Sequence, residues 1–95
     1  MAKDDYHVIV CYILSYLYGC LKRGEKPSRD YLSLSRYPDM ISESYRDYIY
    51  IELARSGFVR RITWHKVPVL KNEAEVILKS FDKAQITPAG IEYLQ

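Results

Sequence analysis

The stretch from Ser42 to Thr63, SESYRDYIYIELARSGFVRRIT, constrains this chain more than any other. It opens on serine N-cap candidates, Ser42 or Ser44, with Glu43 and Asp47 in the first turn, where carboxylates suit the positive end of a helix. Tyr45, Tyr48, Ile49, Glu52, Leu53 and Ser56 then fall on one side at helical spacing, and Tyr45, Ile49 and Leu53 are the expected core anchors. Arg46, Asp47, Tyr50 and Ala54 lie across from them. Gly57 is the natural stop, because glycine takes a left-handed C′ position at no steric cost. Phe58-Val59 carries the chain directly into a strand expected over Val59 to about His65. A helix that feeds a strand without a linker leaves few arrangements open.

The chain before this stretch is helical. Asp4 or Asp5 caps a first helix on which Tyr6, Val10, Ile13, Leu14, Leu17 and Leu21 form one apolar stripe. Ile9, Tyr12, Tyr16 and Cys20 form a second. A helix apolar on two faces buries both. One face suits the third helix and the sheet. The other is either packed on the C-terminal segment or used to form a homodimer through this helix. Lys22 and Arg23, Gly24 and Pro27 end it. Ser28 then caps a short helix from Arg29 to about Leu34, and Arg36-Tyr-Pro-Asp39 is a turn. Pro27 to Asp39 thereby supply the small second helix of a helix-turn-helix.

The chain after it forms a hairpin and a closing helix. Pro68 ends the strand and Lys71-Asn72-Glu73 carries turn chemistry. Glu75–Lys79 is expected to return as a strand, with a short helix over Asn72–Ser80 as the alternative. Ile86 is a last extended residue. Thr87 as N-cap with Pro88 at the first helical position starts a helix to about Leu94. The expected fold is therefore a single α+β domain over residues 1–95. It is a winged helix-turn-helix with three helices, a β-hairpin wing and a short C-terminal helix.

Composition adds bounds. A chain of 95 residues buries roughly 60–70% of the surface it exposes unfolded, enough for one small core. Hydrophobic residues at 48% and charged residues at 27% exclude a disordered chain. Cys11 and Cys20 lie on one helix about 13.5 Å apart along its axis, too far to bridge. Unpaired cysteines, the absence of a secretory n-region and a first apolar run too short to span a bilayer point to a cytoplasmic protein. Ten tyrosines are a surplus, suited to half-buried sites or to a partner surface.

The helix order, the Ser-Tyr start of the third helix, the "SGFV" of 56–59 and the "ITPAGIEYL" of 86–94 together resemble the YjcQ-like winged-helix proteins of Firmicutes and their prophages. The "ITPAGIEYL" ending is also similar to that of MarR- and PadR-like regulators. The resemblance covers nearly the whole chain and is most specific over Glu52–Arg60 and Ile86–Leu94. Two departures stand out. The extra C-terminal helix of longer winged-helix relatives is not expected after Gln95, and Trp64–Ala84 is longer than a minimal wing. The resemblance implies the fold and, by analogy, DNA binding.

No phosphate-cradling glycine loop, metalloprotease pair or nucleophile elbow occurs, so neither an enzyme nor a cofactor is expected. His7 and Cys11, four apart on one helix, are two ligands where tetrahedral zinc takes three or four, so no metal is expected either. For duplex DNA, Ser44, Arg46 and Tyr50 would face the major groove, with Arg46 placed to read guanine. Arg60, Arg61, His65, Lys66 and Lys71 would supply wing and flanking phosphate contacts, and Arg29 and Arg36 contacts from the second helix and its turn. The net charge of +2 permits this without a basic stripe. Glu43 and Asp47 on the same face favour the competing expectation, a protein-interaction module with an exposed patch including Tyr50 and Tyr12 or Tyr16.

Overall fold

Helix α1 spans Lys3–Arg23 and is the beam on which the rest is laid. The computed structural model describes residues 3–68 and 74–95. Ile9, Val10, Ile13, Leu14 and Leu17 are buried along one side of α1. The helix stops at Gly24 in the left-handed region (φ 68°). Glu25 N–H bonds the Cys20 carbonyl at 2.9 Å and Gly24 N–H bonds that of Leu21 at 3.3 Å. These two bonds capture carbonyls that a helix end otherwise leaves without partners.

Helix α2 is a single turn, Arg29–Leu32, capped by Ser28 as expected and ending two residues earlier than expected. The cause is Leu34, which adopts φ 65°. This left-handed step turns the chain so that Leu34 is buried beside Leu32, at a conformational cost of roughly 1–3 kcal/mol. The α2 segment also answers what covers the second stripe of α1. Tyr31 stacks on Tyr16 with ring centroids 4.3 Å apart, and Tyr37 meets Tyr12 edge-on at 5.0 Å. Ser28 N–H donates to the Tyr16 hydroxyl at 2.6 Å. The α2 segment therefore covers the Tyr12 and Tyr16 part of this stripe, while Cys20 lies beside Ala84 and Gln85 of the C-terminal segment.

Helix α3, Glu43–Arg55, starts at Ser42, whose hydroxyl accepts from Tyr45 N–H at 3.1 Å. It repeats the stop of α1. Gly57 sits at φ 80°, Phe58 N–H reaches the Leu53 carbonyl at 3.0 Å and Gly57 N–H that of Ala54 at 3.1 Å. Ile49 and Leu53 are core residues as expected. Tyr50, expected across from the core side, is 0% exposed, whereas Tyr48, on the same side as the expected anchors though not one of them, is 55% exposed. Tyr45 is only half-buried.

The strand expected over Val59–His65 is broken into two. β1 is Val59–Arg60 and β2 is Thr63–Pro68. Arg61 between them has φ 67°, which no extended strand accommodates. β2 pairs antiparallel with β3, Ala74–Ser80, with an irregularity between Thr63 and Trp64, so residues 75–79 are strand and not helix. β1 pairs antiparallel with β4, Gln85–Ile86, through Val59↔Ile86 and Arg60↔Gln85.

Helix α4, Pro88–Tyr93, has the expected Thr87 cap and Pro88 start. Thr87 also clasps the end of α3. Its hydroxyl donates to the Gly57 carbonyl at 2.5 Å and its N–H to the Phe58 carbonyl at 3.0 Å. Gly90 lies so close to the Phe58 carbonyl that a Cβ there would collide with backbone. No helix among the described residues is long and apolar enough to cross a membrane.

Candidate nucleic-acid interface

The outer side of α3 begins at Ser42, Glu43 and Ser44, all exposed. Ser44 sits where a groove contact was expected. Arg46 does not: its side chain is 17% exposed. Nε and Nη2 donate to Asp47 Oδ1 at 3.0 and 2.9 Å, and the guanidinium lies 5.1 Å from the centre of the Phe81 ring. A cation held by a carboxylate and by an aromatic face is already satisfied. Its forked donors are turned from a base edge toward Asp47 and Phe81.

Tyr50 is a correction in the same sense, for both the groove-facing reading and the exposed-patch reading. Its hydroxyl donates to the Leu32 carbonyl at 2.6 Å, and its ring stacks on Phe81 at 5.1 Å and 15°. The phenol thus pins α2 to α3 from inside. Burial raises its pKa far above the ordinary tyrosine range, with the Arg46 charge a smaller opposing influence. Tyr12 and Tyr16 are half-buried, and their pKa values are raised first by desolvation.

Phe81 is the residue that sequence reasoning missed. It stands alone between Lys79-Ser80 and Asp82-Lys83, with no periodic partner to mark it as core. Yet Tyr50, Arg46 and Arg29 all converge on its ring, Arg29 at 5.5 Å. Asp82, next to it, holds Arg29: Nη1 donates to both carboxylate oxygens at 2.8 and 2.9 Å. Both side chains are more than half exposed, so the pair is worth roughly 0–1 kcal/mol. Such a pair yields readily to a competing anion. Arg36 is exposed, 3.9 Å from Asp30 and 5.2 Å from the centre of the Tyr31 ring.

The remaining cations sit elsewhere. Arg60 and Arg61 are exposed at the root of the wing and form no ion pair among the described residues. His65 and Lys66 lie in β2, paired in register with Ile77 and Val76. Lys71 lies outside the described residues. Along the chain, residues 60–83 carry six Lys or Arg against three Asp or Glu, while the rest carries eight against nine. The positive excess belongs to the wing and its flanks.

At the N-terminal end of α1, His7 and Cys11 meet as their spacing suggests, Cys11 Sγ and His7 Nε2 being 3.5 Å apart. The other ring nitrogen, Nδ1, is 2.8 Å from the Tyr93 hydroxyl of α4. No group of three or more metal-ligating side chains occurs among the described residues.

Three helices, a two-stranded wing that follows the third through β1 and the Arg61 corner, and a short closing helix define an α+β winged-helix protein. A family model described as "YjcQ protein" matches residues 11–95, and the chain belongs to that family. No curated protein and no solved structure gives a significant match to the chain.

Proposed function

We propose that the protein is a small regulator of transcription that binds double-stranded DNA without catalytic activity, and that the wing and its root lead the contact while α3 plays a lesser part. The observation that carries this reading is the confinement of positive excess to residues 60–83, with Arg60 and Arg61 exposed where the wing leaves the core. Phosphate contacts supply most non-specific affinity and position a domain on the duplex. Ser44 and the exposed start of α3 remain available to a groove. Arg29 and Arg36 join by exchanging a weak surface carboxylate for phosphate. A homodimer through α1 has less motive than the sequence suggested, because Tyr12 and Tyr16 are covered within the chain and Val8 and Leu21 are the large apolar residues that α1 leaves exposed.

The test is selection of bound duplexes from a random pool at low salt, with salt titration of the best. Arg60→Ala with Arg61→Ala lowers the slope of log affinity against log salt by about two, at about 0.9 per phosphate contact. Failure to retain any duplex at low salt sinks the reading.

A second reading rests on the surface of α3. Glu43 is acidic and exposed there, Tyr48 is 55% exposed, and Met40, just before the helix, is 98% exposed. An exposed carboxylate, tyrosine and methionine near the start of α3 suit a protein partner. In that case the Arg60 and Arg61 substitutions leave partner binding intact while Tyr48→Ala abolishes it.

A further inference from the structure

A cleft of about 530 Å³ opens between the C-terminal end of α1 and residues 82–85, with Arg61 at the corner between β1 and β2 beside it. Leu17, Cys20 and Ala84, all buried, contribute its apolar floor, and Leu21 adds an exposed apolar wall. Its charged lining is Glu25, Lys26, Arg61, Asp82 and Lys83. A volume of this size falls within the range of small-molecule sites, which pair apolar walls with a few polar groups.

The charges in this lining do not cancel. Glu25 accepts from Arg23 Nε at 3.2 Å, and Asp82 accepts from Arg29 at 2.8 and 2.9 Å. Neither Arg23 nor Arg29 lines the cleft, so both lining carboxylates face cations that stand outside it. Lys26, Arg61 and Lys83 form no ion pair among the described residues. The lining thus carries three cations against two carboxylates, a net positive charge over an apolar floor. An electropositive concavity with low-dielectric walls concentrates anions.

We propose that this cleft binds a small amphipathic anion, a molecule with an apolar body and a single carboxylate or sulfonate. The body lies on Leu17, Leu21 and Ala84, and the acidic group meets Lys26, Arg61 and Lys83. This site does not depend on DNA binding, and its test uses the isolated protein.

The probe is 1-anilinonaphthalene-8-sulfonate, with the uncharged N-phenyl-1-naphthylamine as its matched control. Fluorescence titration is expected to show one saturable site for the sulfonate and at least tenfold weaker binding of the neutral compound. Lys26→Ala with Lys83→Ala, both at exposed positions, is expected to weaken the sulfonate about tenfold as two charge contacts are lost. The neutral probe is unaffected by that change. Leu21→Trp fills the cleft from its exposed wall and displaces both probes. Displacement by decanoate or by 1-naphthoate then shows whether the preferred body is aliphatic or aromatic. In amide spectra the shifts fall on residues 17–27, 61 and 82–85. Equal affinity for the charged and neutral probes, indifference to the lysine substitutions, shifts centred elsewhere, or no binding of the sulfonate each overturns the assignment.

Discussion

Helix α3 and the root of the wing are adjacent in the chain and opposite in how they use charge. On α3, Arg46 is folded onto Asp47 and Phe81, and Tyr50 is committed to the core. At the root of the wing, Arg60 and Arg61 stand exposed on a two-residue strand and a left-handed corner. In the helix that a winged-helix order would assign to recognition, Arg46 and Tyr50 are held within the fold by their own polar groups. Winged-helix order alone therefore does not say which element meets a partner. The internal pairing of cations with carboxylates shows only which side chains are already committed within the fold.

The largest test of this contrast is Tyr50→Ala. It removes a fully buried ring and its bond to the Leu32 carbonyl, and we expect a loss of 3–5 kcal/mol, about the range for large aromatic truncation, read from urea unfolding. A loss below 1 kcal/mol would mean that α3 is not pinned by this residue. Next comes the clasp beneath the wing. Gly90→Ala drives a methyl onto the Phe58 carbonyl and should cost about 1–3 kcal/mol, as overpacking does. If thermal unfolding is unchanged, α4 does not seat closely on the end of α3.

Alkaline titration gives an intermediate effect. Burial raises the Tyr50 pKa, so the folded state keeps its proton where the unfolded chain, near pH 10, releases it. Stability is then complete below about pH 10 and falls as pH rises above it, by about 1.4 kcal/mol per unit for one such group. Tyr50→Phe should flatten that decline in unfolding midpoints between pH 9 and 11. The other tyrosines with raised values would leave a residual slope. An unchanged slope would place the proton elsewhere. The smallest expected effect sharpens the comparison most: Arg46→Ala should alter duplex affinity less than about twofold, under 0.5 kcal/mol, against the marked loss from Arg60 and Arg61. A tenfold loss from Arg46→Ala would return recognition to α3.

Much of the architecture was legible because local devices dictated it. Ser28, Ser42 and Thr87-Pro88 start helices, and Gly24 and Gly57 stop them, through backbone hydrogen bonds that depend on few distant residues. The rotation of α3 was not legible. Tyr45, Tyr48, Ile49, Tyr50, Ile51 and Leu53 place apolar surface around most of the helix, and tyrosine suits either side of a boundary. Two long-range contacts decided it, the Leu32 carbonyl that Tyr50 reaches and the Phe81 ring it stacks on. The pairing of Arg29 with Asp82, 53 residues apart, was equally invisible. So was the break at Arg61, since an arginine gives no sign that it will take a glycine-like turn. Spacing along a chain reports helix faces well and reports ion pairs across a fold hardly at all.

The pairing of β1 with β4 has one more consequence. Val59↔Ile86 and Arg60↔Gln85 bring together two points of the chain and leave residues 61–84 as a loop closed at its base. Once such a loop is closed, doubling its length costs only about 0.6 kcal/mol of chain entropy. Relatives with this clasp can therefore carry shorter or longer wings on an unchanged body. Length variation in the family should collect toward the tip of the hairpin, away from Ile62, Phe81 and Ala84, which belong to the core.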